Sequence, residues 1–172
     1  MELPQMSDKV FSLSFSHVKW LLLFSYLAGL IIDSALNFSF ALHYAPPITL
    51  LLLLFWSSQI LNQTHLFTAF VLGLLNDASL NTPLGAHALL FLTVTFFMLR
   101  IRLRFRSYPM WQQSIIVAFY ILFFQVAGWF IFHPTLSGNT LLYYWLEPIF
   151  AIALWPLVSN VMQSLTQRAL FK

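Results

Sequence analysis

Charge is what this chain has least of. Only 8% of its 172 residues are Asp, Glu, Lys or Arg, where a soluble domain of this size carries about a quarter. So little polar surface cannot cover a water-soluble globule. Cysteine is absent altogether, which excludes disulfides, thiolate metal sites and a cysteine nucleophile. There is no phosphate-cradling glycine loop, no nucleophile elbow and no His-Glu-x-x-His segment. Ser, His and acidic residues nowhere fall at a diagnostic spacing, so no enzyme, metal site or cofactor is expected. The first 17 residues hold Glu2, Asp8 and Lys9 and no continuous apolar core. No cleaved signal peptide is read there, and the first hydrophobic helix is expected to serve as its own insertion signal.

What the chain does have is hydrophobic mass: 60% apolar residues, with 19 Phe. The apolar runs are continuous, not alternating, so spanning helices are expected and a barrel is not. Six candidate spans fall at about 18–37, 48–61, 65–76, 83–98, 111–132 and 140–163. The second and third are short for a crossing, which takes roughly 20 residues, and a re-entrant hairpin is the other reading of that pair. The basic residues decide between them. Cytoplasmic loops collect Lys and Arg, and Lys9, Lys19, Arg100, Arg102, Arg104, Arg106, Arg168 and Lys172 all fall on one side only with six spans and both termini in the cytoplasm. The connections are short, so the expectation is one all-α transmembrane domain over 1–172. Thr82-Pro83 reads as an N-cap and first helical residue of the fourth helix. Tyr108-Pro109 plays a similar part before the fifth, and Pro134 to Asn139 reads as a turn.

That topology exposes a second asymmetry. Asp33, Asp77 and Glu147 map to the outer half, with His43, His87 and His133, and no Lys or Arg is placed there to pair with them. An acid at a helix centre costs about 2.5–3.5 kcal/mol on insertion scales, so these residues should face a bundle interior, an aqueous vestibule or a partner. Asp33 and Asp77 also sit near helix C-termini, where the dipole disfavours negative charge. Either each helix ends before its Asp or something compensates, and His87 is the nearest candidate for Asp77.

A short repeat accompanies these acids: Gly29-Leu30-Ile31-Ile32-Asp33-Ser34-Ala35-Leu36-Asn37 resembles Gly73-Leu74-Leu75-Asn76-Asp77-Ala78-Ser79-Leu80-Asn81. Glycine and Asp four apart share a helix face, and glycine permits close helix approach. The bland reading is two helices that end alike with Asn as C-cap, the sharper one an internal duplication. Glu147-Pro148 reads as a carboxylate at a helix kink, repeated by Pro156 two turns on. The Arg100-Ile101-Arg102-Leu103-Arg104-Phe105-Arg106 run is too short and too close to the membrane for nucleic acid. It reads as a cytoplasmic loop that anchors the topology, its stems snorkelling, with contact to anionic lipid heads or a cytoplasmic partner.

Taken together, Phe70-Val71-Leu72-Gly73-Leu74-Leu75-Asn76-Asp77, then Pro83-Leu84-Gly85, then the basic segment leading into Met110-Trp111-Gln112-Gln113, then Leu154-Trp155-Pro156, resemble the rod shape-determining protein MreD family. The resemblance covers roughly residues 48–172 and matches Gly73, Asp77 and Gly85. Asp33 and Glu147 do not match the family pattern. The resemblance implies a non-enzymatic inner-membrane subunit of the bacterial elongation machinery, acting beside the bitopic MreC, the glycosyltransferase RodA with its transpeptidase, and, indirectly, the actin-like MreB. It implies a fold similar to the membrane substrate-binding subunits of energy-coupling-factor transporters. Gly73, Asp77, Pro83 and Gly85, with His87 as the neighbour that Asp77 needs, are the expected structural or partner-binding residues. A substrate-binding transporter subunit is the competing expectation and requires the outer acids and histidines to converge on one cavity. A small membrane enzyme comes third.

Overall fold

The computed structural model describes residues 15–38, 46–61, 63–132 and 144–170. Among them are six α-helices and no strand: α1 (Phe15–Phe38), α2 (Ile48–Gln59), α3 (Leu66–Leu80), α4 (Ala86–Ser107), α5 (Met110–Phe132) and α6 (Glu147–Leu170). His43, His133, the tail acids Glu2 and Asp8, Lys9, Lys172 and the expected turn at 134–139 lie outside the described residues.

Four helices are long and apolar enough to cross a bilayer: α1, α4, α5 and α6. α2 has 12 residues and α3 has 15, so their axes reach only about 18 and 22 Å against a hydrocarbon core of about 30 Å. Protein shelters the shorter one. α2 is buried from Thr49 to Ser58 without a solvent- or lipid-facing side, as an all-round apolar helix demands. It packs against α1, α4 and α6, so its ends need not reach the headgroups. The polar residues near its C-terminus are satisfied locally: the Ser57 and Ser58 hydroxyls donate to the carbonyls of Leu54 and Phe55. Trp56, wholly buried, donates its indole N–H to Ser25 Oγ on α1 at 2.9 Å.

Several helix boundaries differ from those read in the sequence. α3 continues past Asp77 to Leu80 and stops at Asn81, which adopts the left-handed conformation (φ 53°) and donates its N–H to the Asp77 carbonyl. α4 does not begin at Pro83. Gly85 precedes its first residue with φ 98°, a conformation open to glycine and strained for residues with a Cβ, and Pro83 contributes a carbonyl to the Ala86 N–H. The arginine run is not a loop: α4 carries it as helix to Ser107. Arg and Leu are good helix formers, and Tyr108, held extended by the following proline, ends the helix. Pro148 does not kink a helix. It is the second residue of α6, in the first turn, where a missing N–H costs nothing. Pro156 does lie inside α6.

Candidate functional site: two carboxylate joints between helices

The Gly-x-x-x-Asp repeat forms two joints of the same design. On α1, Asp33 reaches the start of α2: its two carboxylate oxygens accept the backbone N–H groups of Ile48 (2.7 Å) and Thr49 (2.9 Å). These are helix N-terminal donors with no intrahelical partner, at the positive end of the dipole. One turn back, a Cβ on Gly29 would lie 2.9 Å from a Leu52 methyl and 3.2 Å from the Thr49 Cα, so glycine is what lets the two helices approach.

On α3, Asp77 does the same for α4 with more partners. Its Oδ2 accepts the Gly85 N–H at 2.8 Å, and its Oδ1 accepts the His87 N–H at 3.0 Å and the Thr82 hydroxyl at 2.8 Å. His87 Nδ1 lies 2.7 Å from the same Oδ1. An ionised carboxylate only accepts, so Nδ1 carries the proton in this pair. Asp77 is wholly buried. The imidazole is walled by aromatic rings, stacked on Phe132 at 4.7 Å between centroids and edge-on to Phe91. One turn back, Gly73 touches α4 so closely that a Cβ would sit 2.2 Å from the Ala88 Cα.

Gly73, Asp77, Pro83, Gly85 and His87 therefore gather at one place, the joint between α3 and α4. The compensation Asp77 needs comes from His87, and equally from backbone donors. Asp33 and Glu147 are elsewhere. Glu147 opens α6 and is buried; Gln125 of α5 is buried as well. Gln125 donates to the Tyr144 carbonyl, and the Tyr144 hydroxyl donates to the Gln125 carbonyl. Gln125 is a joint residue the sequence reading missed; its one signal is an amide inside the longest apolar run. Asp33 and Asp77 thus serve two separate helix seams, and among the described residues no three His, Asp or Glu gather as metal ligands.

The arginines divide. Arg102 turns inward and donates to the Gln63 carbonyl in the α2–α3 connection at 3.1 Å, and Arg106 is half-buried beside it. Arg100 and Arg104 point outward. His65, also in that connection and left-handed (φ 51°), is buried. Burial, and then the Arg102 charge, lower it to about 4.

One concavity has no polar contact to offer. A groove of about 370 Å³ runs between α1 and α6, floored by Ser25, Ala28 and Gly29 and walled by Leu157, Val161 and Leu165. Its one hydroxyl, Ser25 Oγ, already donates to the Leu22 carbonyl and accepts the Trp56 indole.

These features define an all-helical protein with four helices long and apolar enough to cross a membrane, in which buried polar side chains join one helix to the next. The chain belongs to the MreD family of rod shape-determining proteins: the family model, described as rod shape-determining protein MreD, matches residues 14–165. The match takes in α1, which the motif-level likeness left out. The chain is 31% identical over 126 residues, 72% of its length, to a protein from Haemophilus influenzae named rod shape-determining protein MreD, covering 76% of that protein. No solved structure matches. Its family is one of membrane proteins that determine cell shape and is not a known enzyme family.

Proposed function

We propose that this chain is a non-enzymatic scaffold of the bacterial cell-elongation complex in the inner membrane. It binds the single span of MreC and through it organises peptidoglycan synthesis by RodA and its transpeptidase, with MreB reached indirectly. The observation that carries this reading is the α1–α6 groove. Its lining is apolar apart from the Ser25 hydroxyl, it runs along two helices long enough to cross the membrane, and its small-residue floor admits close approach of another helix. A polar small molecule would need several convergent polar groups. Among the described residues, Asp33 and Asp77 are engaged at two different seams, which supports the scaffold reading over the transporter one.

Six crossings with both termini in the cytoplasm remain the preferred topology. Asp33 ties the start of α2 to the end of the bundle where Asp77 and Glu147 lie, and Arg102 ties the α2–α3 connection to the opposite end. These two ties support a reading in which α2 and α3 each run from one end to the other and the described cations Lys19, Arg100, Arg102, Arg104, Arg106 and Arg168 share one end. In this reading the positive-inside rule assigns that end to the cytoplasm.

The test fills the groove. Ala28→Trp and Val161→Trp should each cut MreC co-purification about tenfold, the equivalent of 1.4 kcal/mol, at unchanged protein level. Phe119→Trp, on the exposed face of α5, should leave it intact. MreC retained by both groove variants contradicts the proposal.

A further inference from the structure

The lipid-exposed stripe of α4 changes character along its length. Leu89, Phe96, Phe97, Arg100, Leu103, Arg104 and Ser107 are its exposed residues at helical spacing, Leu103 being 68% exposed. The stripe is apolar through Phe97 and cationic from Arg100. Because α4 stays helical through the arginine run, positions two apart turn by about 200° around the axis. Arg100 and Arg104 therefore share the outward face one turn apart, while Arg102 and Arg106 share the opposite one. Arg102 is already used by the Gln63 carbonyl. Arg100 lies over the Phe96 ring, 5.5 Å from its centroid, which keeps its head close to the hydrocarbon boundary. Phe97 packs edge-on against Phe123 of α5, whose own face is exposed. Among the described residues no carboxylate is paired with Arg100 or Arg104: Asp33 is taken up by the start of α2 and Asp77 by the start of α4 and His87.

We infer that Arg100 and Arg104 clamp the phosphate of an anionic phospholipid whose acyl chains lie along Phe96, Phe97 and Phe123. Guanidinium groups match phosphate geometry with paired donors. The apolar half of the stripe supplies the chain contact that a soluble phosphate ion would not use. The site is separate from the α1–α6 groove and does not depend on the identity of the protein partner.

The test uses the full purified chain in a zwitterionic detergent, titrated with phosphatidylglycerol or phosphatidylcholine, with bound lipid counted by native mass spectrometry. The wild type should hold phosphatidylglycerol well above phosphatidylcholine. R100A/R104A should lose that preference, by about fivefold per arginine, and R100K/R104K should keep part of it. Melting temperature checks that each variant is folded. Equal retention of both lipids by the wild type overturns the inference whatever the variants do, as does a folded R100A/R104A that keeps the preference. If inorganic phosphate displaces the lipid at equal concentration, the acyl contact is absent and the lipid assignment falls.

Discussion

The Nδ1 of His87 lies 2.7 Å from a carboxylate oxygen of Asp77 inside the α3–α4 joint, with the carboxylate wholly buried. The same carboxylate accepts the backbone N–H of Gly85, which caps the helix that carries His87, and that of His87 itself. One side chain thus closes the end of α3 and the start of α4 at once, and lipid offers the four donors no substitute.

Removing it should be expensive. Asp77→Ala leaves the Gly85 and His87 N–H groups, the imidazole and the Thr82 hydroxyl without their acceptor, a loss of about 3–5 kcal/mol. Asp77→Asn keeps one acceptor oxygen and should cost about 1–2 kcal/mol. Unfolding in mixed micelles measures both. Protein level and cell shape should fall in the same order, and wild-type behaviour of both variants rules out the joint.

Glycine replacements should separate by what each Cβ meets. In Gly73→Ala the new carbon sits against the Ala88 backbone at 2.2 Å, so the helices must part, at about 2–3 kcal/mol. Gly29→Ala meets a Leu52 methyl that can turn away and a Thr49 Cα at 3.2 Å, and should cost about 1 kcal/mol. Gly128→Ala finds its nearest neighbour at 3.6 Å and should be neutral or stabilising by up to about 1 kcal/mol from helix propensity. Any other order in the same unfolding measurement contradicts the packing described.

Acid should weaken the α2–α3 connection through His65. Its folded value of about 4 lies below the ordinary 6.5, so between those pH values the unfolded chain binds a proton that the folded chain excludes. Stability attributable to this group is therefore complete above about pH 6.5, falls as the pH drops towards 4 and is flat below, a change on the order of 3 kcal/mol. His65→Asn, which tolerates the left-handed backbone, should remove this part of the acid loss. The difference between wild-type and variant melting temperatures from pH 7 to pH 4 checks it, and parallel curves count against it.

The hydrophobic runs that became these helices were plain in the sequence, as were the Gly-x-x-x-Asp repeat and the need of Asp77 for a partner such as His87. The larger share of each joint was not. Backbone N–H groups carry no residue identity, so nothing in the letters says that Ile48, Thr49 and Gly85 present theirs to an acid 8 to 16 positions earlier. The arginine run reads as a loop because charge marks the end of an apolar span, whereas helix propensity carries α4 on to Ser107. Pro148 reads as a kink because proline has that effect in a helix interior; in the first turn it marks a start, and only the position of Glu147 at the head of α6 decides which. Both concern a helix boundary; the need of Asp77 for a partner is legible in the letters, and the part played by Gln125 is not.

The proposed scaffold works by lateral contact with other membrane helices. The most direct measurement is the composition of the full chain extracted in native lipid without added ligand, determined by mass spectrometry. MreC should be bound in fixed stoichiometry and lost from the Ala28→Trp variant. A preparation without MreC that instead retains a tightly bound vitamin-like molecule would contradict it.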